Sequence, residues 1–151
     1  DKDLGIAYAK SQMAAGSALP LDGKVFISVA DHHKKEVAQI GREFSKLGFE
    51  LVATSGTARV FENEGLPVTR IHKLQEGRPN VVDLLKNNEL HLVINTPSGQ
   101  VPRADEITIR TTAVYTATTI MTTLSGAYAA IEGIKALKKA GYKVKALQEY
   151  H

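Results

Sequence analysis

The chain has 151 residues, a formal charge of +3, no cysteine and no tryptophan, which is the length of one domain with a proper core and no disulfide or thiolate metal site. No apolar run approaches membrane-spanning length. The few aromatics on a mildly basic chain argue against a nucleic-acid surface, which wants a dense basic stripe with stacking rings, and leave small anionic ligands as the better fit.

The first two dozen residues, DKDLGIAYAKSQMAAGSALPLDG, are rich in Ala, Gly and Ser. LGIAYAKSQMA has room for one short helix, and GSALPLDG is a linker by composition. The chain starts with Asp, and no charged-then-apolar leader precedes the first strand. Residues 1–22 are therefore expected to end a preceding unit, with the domain itself at 23–151.

From Lys24 the pattern becomes regular. KVFISV is an apolar run of strand length, and Val37, Ile40, Phe44 and Leu47 then recur at helical spacing up to a stop at Gly48. FELVA predicts a second strand, followed by a short helix through Val60 and Phe61 that ends at Gly65. PVTRI predicts a third strand, and Pro79 starts a helix with Val81, Val82, Leu84 and Leu85 on its apolar face. LHLVIN predicts a fourth strand, TPSG a turn, and Ile107 and Ile109 mark another helix. TATTIM predicts a fifth strand leading into a long helix, from Leu124 through Leu137, closed by Gly141; YKVKAL then reads as a sixth strand.

Strands alternating with helices, with near-continuous apolar strands, mean an α/β fold: a three-layer, mostly parallel sheet of five to six strands covered on both faces. In such sheets ligands bind beyond the carboxyl ends of the strands. Those ends carry Ser28 with Lys34 just beyond, then Thr54, Ser55, Gly56 and Thr57, then Lys73, then Asn95, Thr96 and Ser98, and finally Thr122. No carboxylate pair is conspicuous among them. Hydroxyls and free N–H groups at a helix start suit a phosphate, Gly56 lets the backbone approach closely, and two lysines add charge.

The TSGT stretch taken alone also fits an ordinary helix cap with a turn glycine. The two lysines also fit solvated surface charges, and Asn95 and Thr96 fit turn formers. DHH at 31–33 is read as Asp31 capping a helix rather than as a metal site, and His72, His91 and His151 are assigned no role.

KVFISVADHHKKEV, GFELVATSGTARVFENEGLPVTRI, HKLQEGRPNVVDLLKNNELHLVINTPSG and IRTTAVYTATTIMTTLSGAYAAIEGI resemble the C-terminal allosteric, methylglyoxal-synthase-like domains of bacterial-type carbamoyl phosphate synthetase large subunits. The likeness runs from about Gly23 to His151, and ATSGTA, K-x-x-EGRP and INTPSG together are specific. It implies a cytoplasmic, ATP-dependent ligase that uses magnesium or manganese and makes carbamoyl phosphate from glutamine, bicarbonate and ATP for pyrimidine and arginine synthesis. This part would hold no cofactor and do no catalysis. It would bind UMP and IMP through Ser28, Lys34, Thr54, Gly56, Thr57, Lys73, Asn95, Thr96 and Ser98, with Thr122 near an ornithine site. The implied partners are the rest of the large subunit, the glutaminase small subunit and a second copy, with no nucleic acid or membrane. Family members carry a hydroxyl where this chain has Pro97.

Two enzymes with similar motifs are the alternatives. Methylglyoxal synthase needs two acids where Pro79 and Thr96 stand here, and abstraction of a carbon-bound proton needs a base. The cyclohydrolase of purine synthesis shares a motif like LVATSGTA but differs from HKLQEGRP and INTPSG.

Overall fold

The structure, a computed structural model, describes residues 19–97, 99 and 103–149, without the side chains of Asp31 and 142–149. Five strands form one sheet: β1 (Lys24–Ser28), β2 (Glu50–Ala53), β3 (Val68–Arg70), β4 (Leu92–Asn95) and β5 (Thr119–Met121). Their order is β3-β2-β1-β4-β5, and every pairing is parallel. The helices are α1 (Lys34–Lys46), α2 (Ser55–Asn63), α3 (Val81–Lys86), α4 (Ala104–Tyr115) and α5 (Leu124–Glu149), with a 3-10 turn at Asp31–His33 before α1.

Alternate residues of each strand feed two separate cores, as the two-residue period of a strand requires. Val25, Ile27, Leu51, Ala53, Leu92 and Ile94 meet α1, α2 and α5 through Val37, Ile40, Phe44, Phe61, Ile131 and Ile134. Phe26, Val52 and Val93 point the other way and meet Val81, Leu85, Ile109 and Ala113 of α3 and α4. Both faces are covered, so the strands read as unbroken apolar runs rather than as alternation. The α1–α2 contact is close: a Cβ on Gly41 would stand 2.4 Å from Cε1 of the buried Phe61 ring, so only glycine fits there.

The predicted strands and most helix limits agree with these elements, and the departures are local. YKVKAL is not a sixth strand: α5 runs through it to Glu149, and Gly141 does not close the helix. One glycine costs a helix only about 1 kcal/mol, and the Lys, Ala, Leu, Gln and Glu that follow are good helix formers. TATTIM is strand only from Thr119. Thr116 instead donates its hydroxyl to the Thr112 carbonyl at 2.9 Å, and Ala117 turns the chain with φ 56°. Pro79 precedes α3 rather than opening it, and Asn80 is the cap, its side chain accepting from the N–H of Val82 at 3.0 Å. The helix expected in LGIAYAKSQMA lies outside the described residues. Leu19, from the expected linker, packs in the core.

Candidate functional site

The chain leaves β1 toward β2 and β3 but later returns to pair β4 on β1's other side. Connections that diverge like this open a crevice at the carboxyl ends of the two central strands. Ser28 and Asn95 stand in register there, and a cavity of about 280 Å³ lies beyond them. Thr96 ties the two ends: its N–H donates to the Ser28 carbonyl at 3.0 Å, and its buried hydroxyl accepts from the Ala30 N–H at 3.1 Å.

One wall comes from α1 and α2. Thr54 turns the chain from β2 into α2 with extended backbone, and its hydroxyl caps nothing. The N–H groups of the helix's first turn have no carbonyl four residues back, and they carry the positive end of the helix dipole. Thr57 is buried, with its hydroxyl accepting from Lys34 Nζ at 3.1 Å; the same ammonium donates to the Val29 carbonyl at 3.3 Å. Gly56 has ordinary backbone, and a Cβ there would meet only Lys34 Nζ, at 3.8 Å. The protein's own packing therefore does not require glycine, although alanine would favour the helix by about 1 kcal/mol. What glycine preserves is open approach to the first-turn amides.

The other wall comes from the 72–80 loop and the start of α4. The loop is built by its own motif. Glu76 accepts from the Lys73 N–H at 3.0 Å, and Gly77 takes a φ of 143° that only glycine adopts freely. Arg78 clasps Asp83 at 2.7 Å, which with the Asn80 N–H holds the Asp83 carboxyl below its ordinary pKa. His72 donates its N–H to the Pro79 carbonyl at 3.0 Å, closing the base of the loop. Lys73 thereby lines the cavity, exposed, and makes no ion pair among the described residues. Gln75 reaches over to donate to Asp105 of α4. Arg103, Asp105, Glu106 and Ile109 line the cavity from α4, and Phe26, Leu74 and Val81 give it an apolar side.

Ser28, Lys34, Thr54, Gly56, Thr57, Lys73 and Thr96, all expected from the strand ends, line this one cavity. Asn95 is buried in β4 beside Ser28 and does not line it, and Thr122 stands half-buried after β5, away from the lining. Ser98 lies outside the described residues. The other lining residues lie outside the expected set, and those of them with polar or charged side chains are His72, Arg103, Asp105 and Glu106. The strand ends themselves carry no conspicuous carboxylate pair, but α4, which starts nine residues past β4, brings two carboxylates to the cavity. The available signal was the acidic pair behind Arg103, with Glu106 accepting from the Arg103 N–H at 3.0 Å as a helix-start bond.

A family model described as the MGS-like domain matches residues 36–122. The carbamoyl phosphate synthase large chain, C-terminal section, of Aquifex aeolicus is 45% identical over 156 aligned positions, covering all of this chain and 29% of that protein. The carbamoyl phosphate synthase large chain of Rhodopirellula baltica is 46% identical over 143 positions, covering 95% of this chain and 13% of that one. A chloroplastic, arginine-specific large chain from Oryza sativa subsp. japonica is 44% identical over 151 positions, 99% of this chain and 13% of the relative. The chain thus spans less than a third of the length of these relatives. Among solved structures, the methylglyoxal synthase of Elizabethkingia anophelis superposes with a TM-score of 0.61 at 16% identity, over 75% of this chain and 79% of that one. That likeness is one of fold, and it matches the parallel sheet covered on both faces. Sheet, motifs and whole-chain relatives agree, and the chain belongs to the family of MGS-like domains.

Proposed function

We propose that this chain is the effector-binding domain of a carbamoyl phosphate synthase large chain, and that it takes nucleoside monophosphates such as UMP and IMP in the cavity beyond β1 and β4. The observation that carries this reading is the open start of α2: uncapped first-turn amides, a glycine that packing does not demand, and Lys34 held beside them by Thr57. A phosphate there gains charge-assisted hydrogen bonds of about 1.5–3 kcal/mol each. Leu74, Val81 and Ile109 offer an apolar face to a base, and Asp105 and Glu106 offer acceptors to ribose hydroxyls.

In this reading the domain does no chemistry. Occupancy shifts an equilibrium in the rest of the large chain, which with a glutaminase subunit makes carbamoyl phosphate using ATP and a divalent cation, in the cytoplasm, for pyrimidine and arginine synthesis. Ornithine would act near Thr122 at a site shared with another domain, and a second copy is an expected partner.

Calorimetric titration of the chain with UMP, IMP and ornithine tests this. UMP and IMP are expected to bind, and Lys73→Ala and Thr57→Val each to weaken them about tenfold or more with unchanged melting. Full affinity in both variants would mean that the α2 start and Lys73 hold no ligand phosphate. Methylglyoxal synthase is the weaker reading. Pro79 and Thr96, the two positions where that enzyme needs its acids, offer no base. No methylglyoxal is expected from dihydroxyacetone phosphate, and turnover lost on mutating Lys73 would reverse the ranking.

A further inference from the structure

We propose that Arg103 is an anion-recognising residue of the cavity, offering its guanidinium to the ligand's phosphate from the α4 wall while Lys34 acts from the other. The proposal rests on the effector-binding reading above.

Arg103 occupies the cap position of α4, where its backbone is extended. That position favours Ser, Thr, Asp or Asn, whose oxygens accept from the first-turn amides. Arginine carries five donors and no acceptor, and its charge opposes the positive end of the helix. Local stability therefore does not explain the residue. Places where a local rule is broken without local gain are where function is expected.

Its charge is also unspent. Arg42, Arg70 and Arg78 each hold a carboxylate, that of Glu64, Glu62 and Asp83 respectively. Arg103 makes no ion pair among the described residues, although two acids follow it closely. Asp105 accepts from Gln75, and Glu106 accepts from the Arg103 backbone. Arg59 and Arg110 make no ion pair among the described residues either, but neither lines the cavity.

The residue also decides the sign of the cavity. Among the described residues its charged lining is Lys34, Lys73 and Arg103 against Asp105 and Glu106. Without Arg103 those charges cancel, and the α4 wall would present only carboxylates to a phosphate. With it, both walls carry a cation, and a planar fork suits phosphate oxygens better than a point charge does.

The test uses the whole chain, with inorganic phosphate and UMP as probes at low and high salt. Arg103→Gln is expected to weaken both about tenfold and to flatten the salt dependence, because one charge contact is gone. Arg103→Lys should restore only part of the loss. Arg103→Ser should bind weakly yet melt a few degrees higher, since serine caps the helix. Weaker binding with a tighter fold is a pair of signs that simple misfolding cannot produce. Parental affinity for phosphate in Arg103→Gln, or a serine variant that melts lower, would overturn the proposal. So would loss of UMP binding with phosphate binding intact. A parent chain that binds neither probe would instead sink the effector-binding reading itself.

Discussion

Helices α1 and α4 both start at the cavity and are nearly equal in length, yet they are built in opposite ways. α1 buries Val37, Ala38, Ile40, Gly41 and Phe44, and its outer face is charged and tied down by Arg42 to Glu64 at 2.8 Å and by Lys135 to Glu43 at 2.9 Å. α4 buries only Ile109 and Ala113 and leaves Ile107, Val114 and Tyr115 exposed at 52%, 69% and 87%. Half of α4 is β-branched, which lowers helix propensity. Its threonines turn back on the helix: Thr108 donates to the Ala104 carbonyl at 3.0 Å and Thr112 to Thr108 at 2.7 Å. One wall of the cavity is therefore held by packing. The other is a marginal helix carrying Arg103 and two acids, the low-stability element from which ligand-responsive parts are drawn.

The largest expected effect falls on the packed side. Phe44 is fully buried in the α1 core, so Phe44→Ala should cost about 3–5 kcal/mol. Val114→Ala, at a similar place on α4, should stay within about 0.5 kcal/mol. Denaturant melts of the two variants would break the contrast if the losses were equal.

A smaller effect probes α4 directly. Thr112→Ala removes a β-branch and a back-bonded hydroxyl, and should stabilise by up to about 0.7 kcal/mol. By hydrogen exchange, α4 amides in the unmodified chain should open more readily than those of α1, and Thr112→Ala should narrow the gap. Equal protection of the two helices before any substitution would contradict the marginal-helix reading.

The smallest effect is with pH. Glu43 is held below its ordinary value mainly by the hydrogen bond from Lys135, Glu62 by that from Arg70, and Asp83 by that from Arg78. Because the folded values are depressed, this stabilisation is fully present above the unfolded values of 4.5 and 3.8 and is lost as pH falls through the folded ones. Melting temperature should be flat with respect to these groups from pH 7 to about 5 and should fall below about 4. The groups sit near the surface, so high salt should shrink the drop.

Much of this was legible in the sequence because burial writes directly into periodicity. Doubly buried strands gave LVA and LVI runs, and the helix stops at Gly48 and Gly65 show as φ of 94° and 73°. What failed was composition whose meaning depends on neighbours. Threonine is β-branched and reads as strand, yet Thr116 finishes α4 because the Thr112 carbonyl is within reach. YKVKAL alternates like a strand, yet it follows a helix already nucleated on the core. The strand-end rule found the α2 wall, whose residues follow β2 immediately. It missed Arg103, Asp105 and Glu106, since only the packing of α4 on Phe26 and Val93 brings their helix back to the cavity.

The pairing of β4 with β1 also has a consequence for the order in which the protein can become competent. The bond between Ala30 and Thr96 joins residues 66 apart, and Ser28 meets Asn95 across a similar span. A chain emerging from synthesis carries the TSGT segment and Lys34 early, but at that stage they flank no cavity. The cavity arises only when Leu92–Asn95 has been made and has docked beside β1, a non-local parallel pairing of the kind that closes slowly. A nascent chain that stops short of β4 therefore has no cavity, and a nucleotide of the kind proposed above would stabilise only molecules that have already joined the two halves of the sheet.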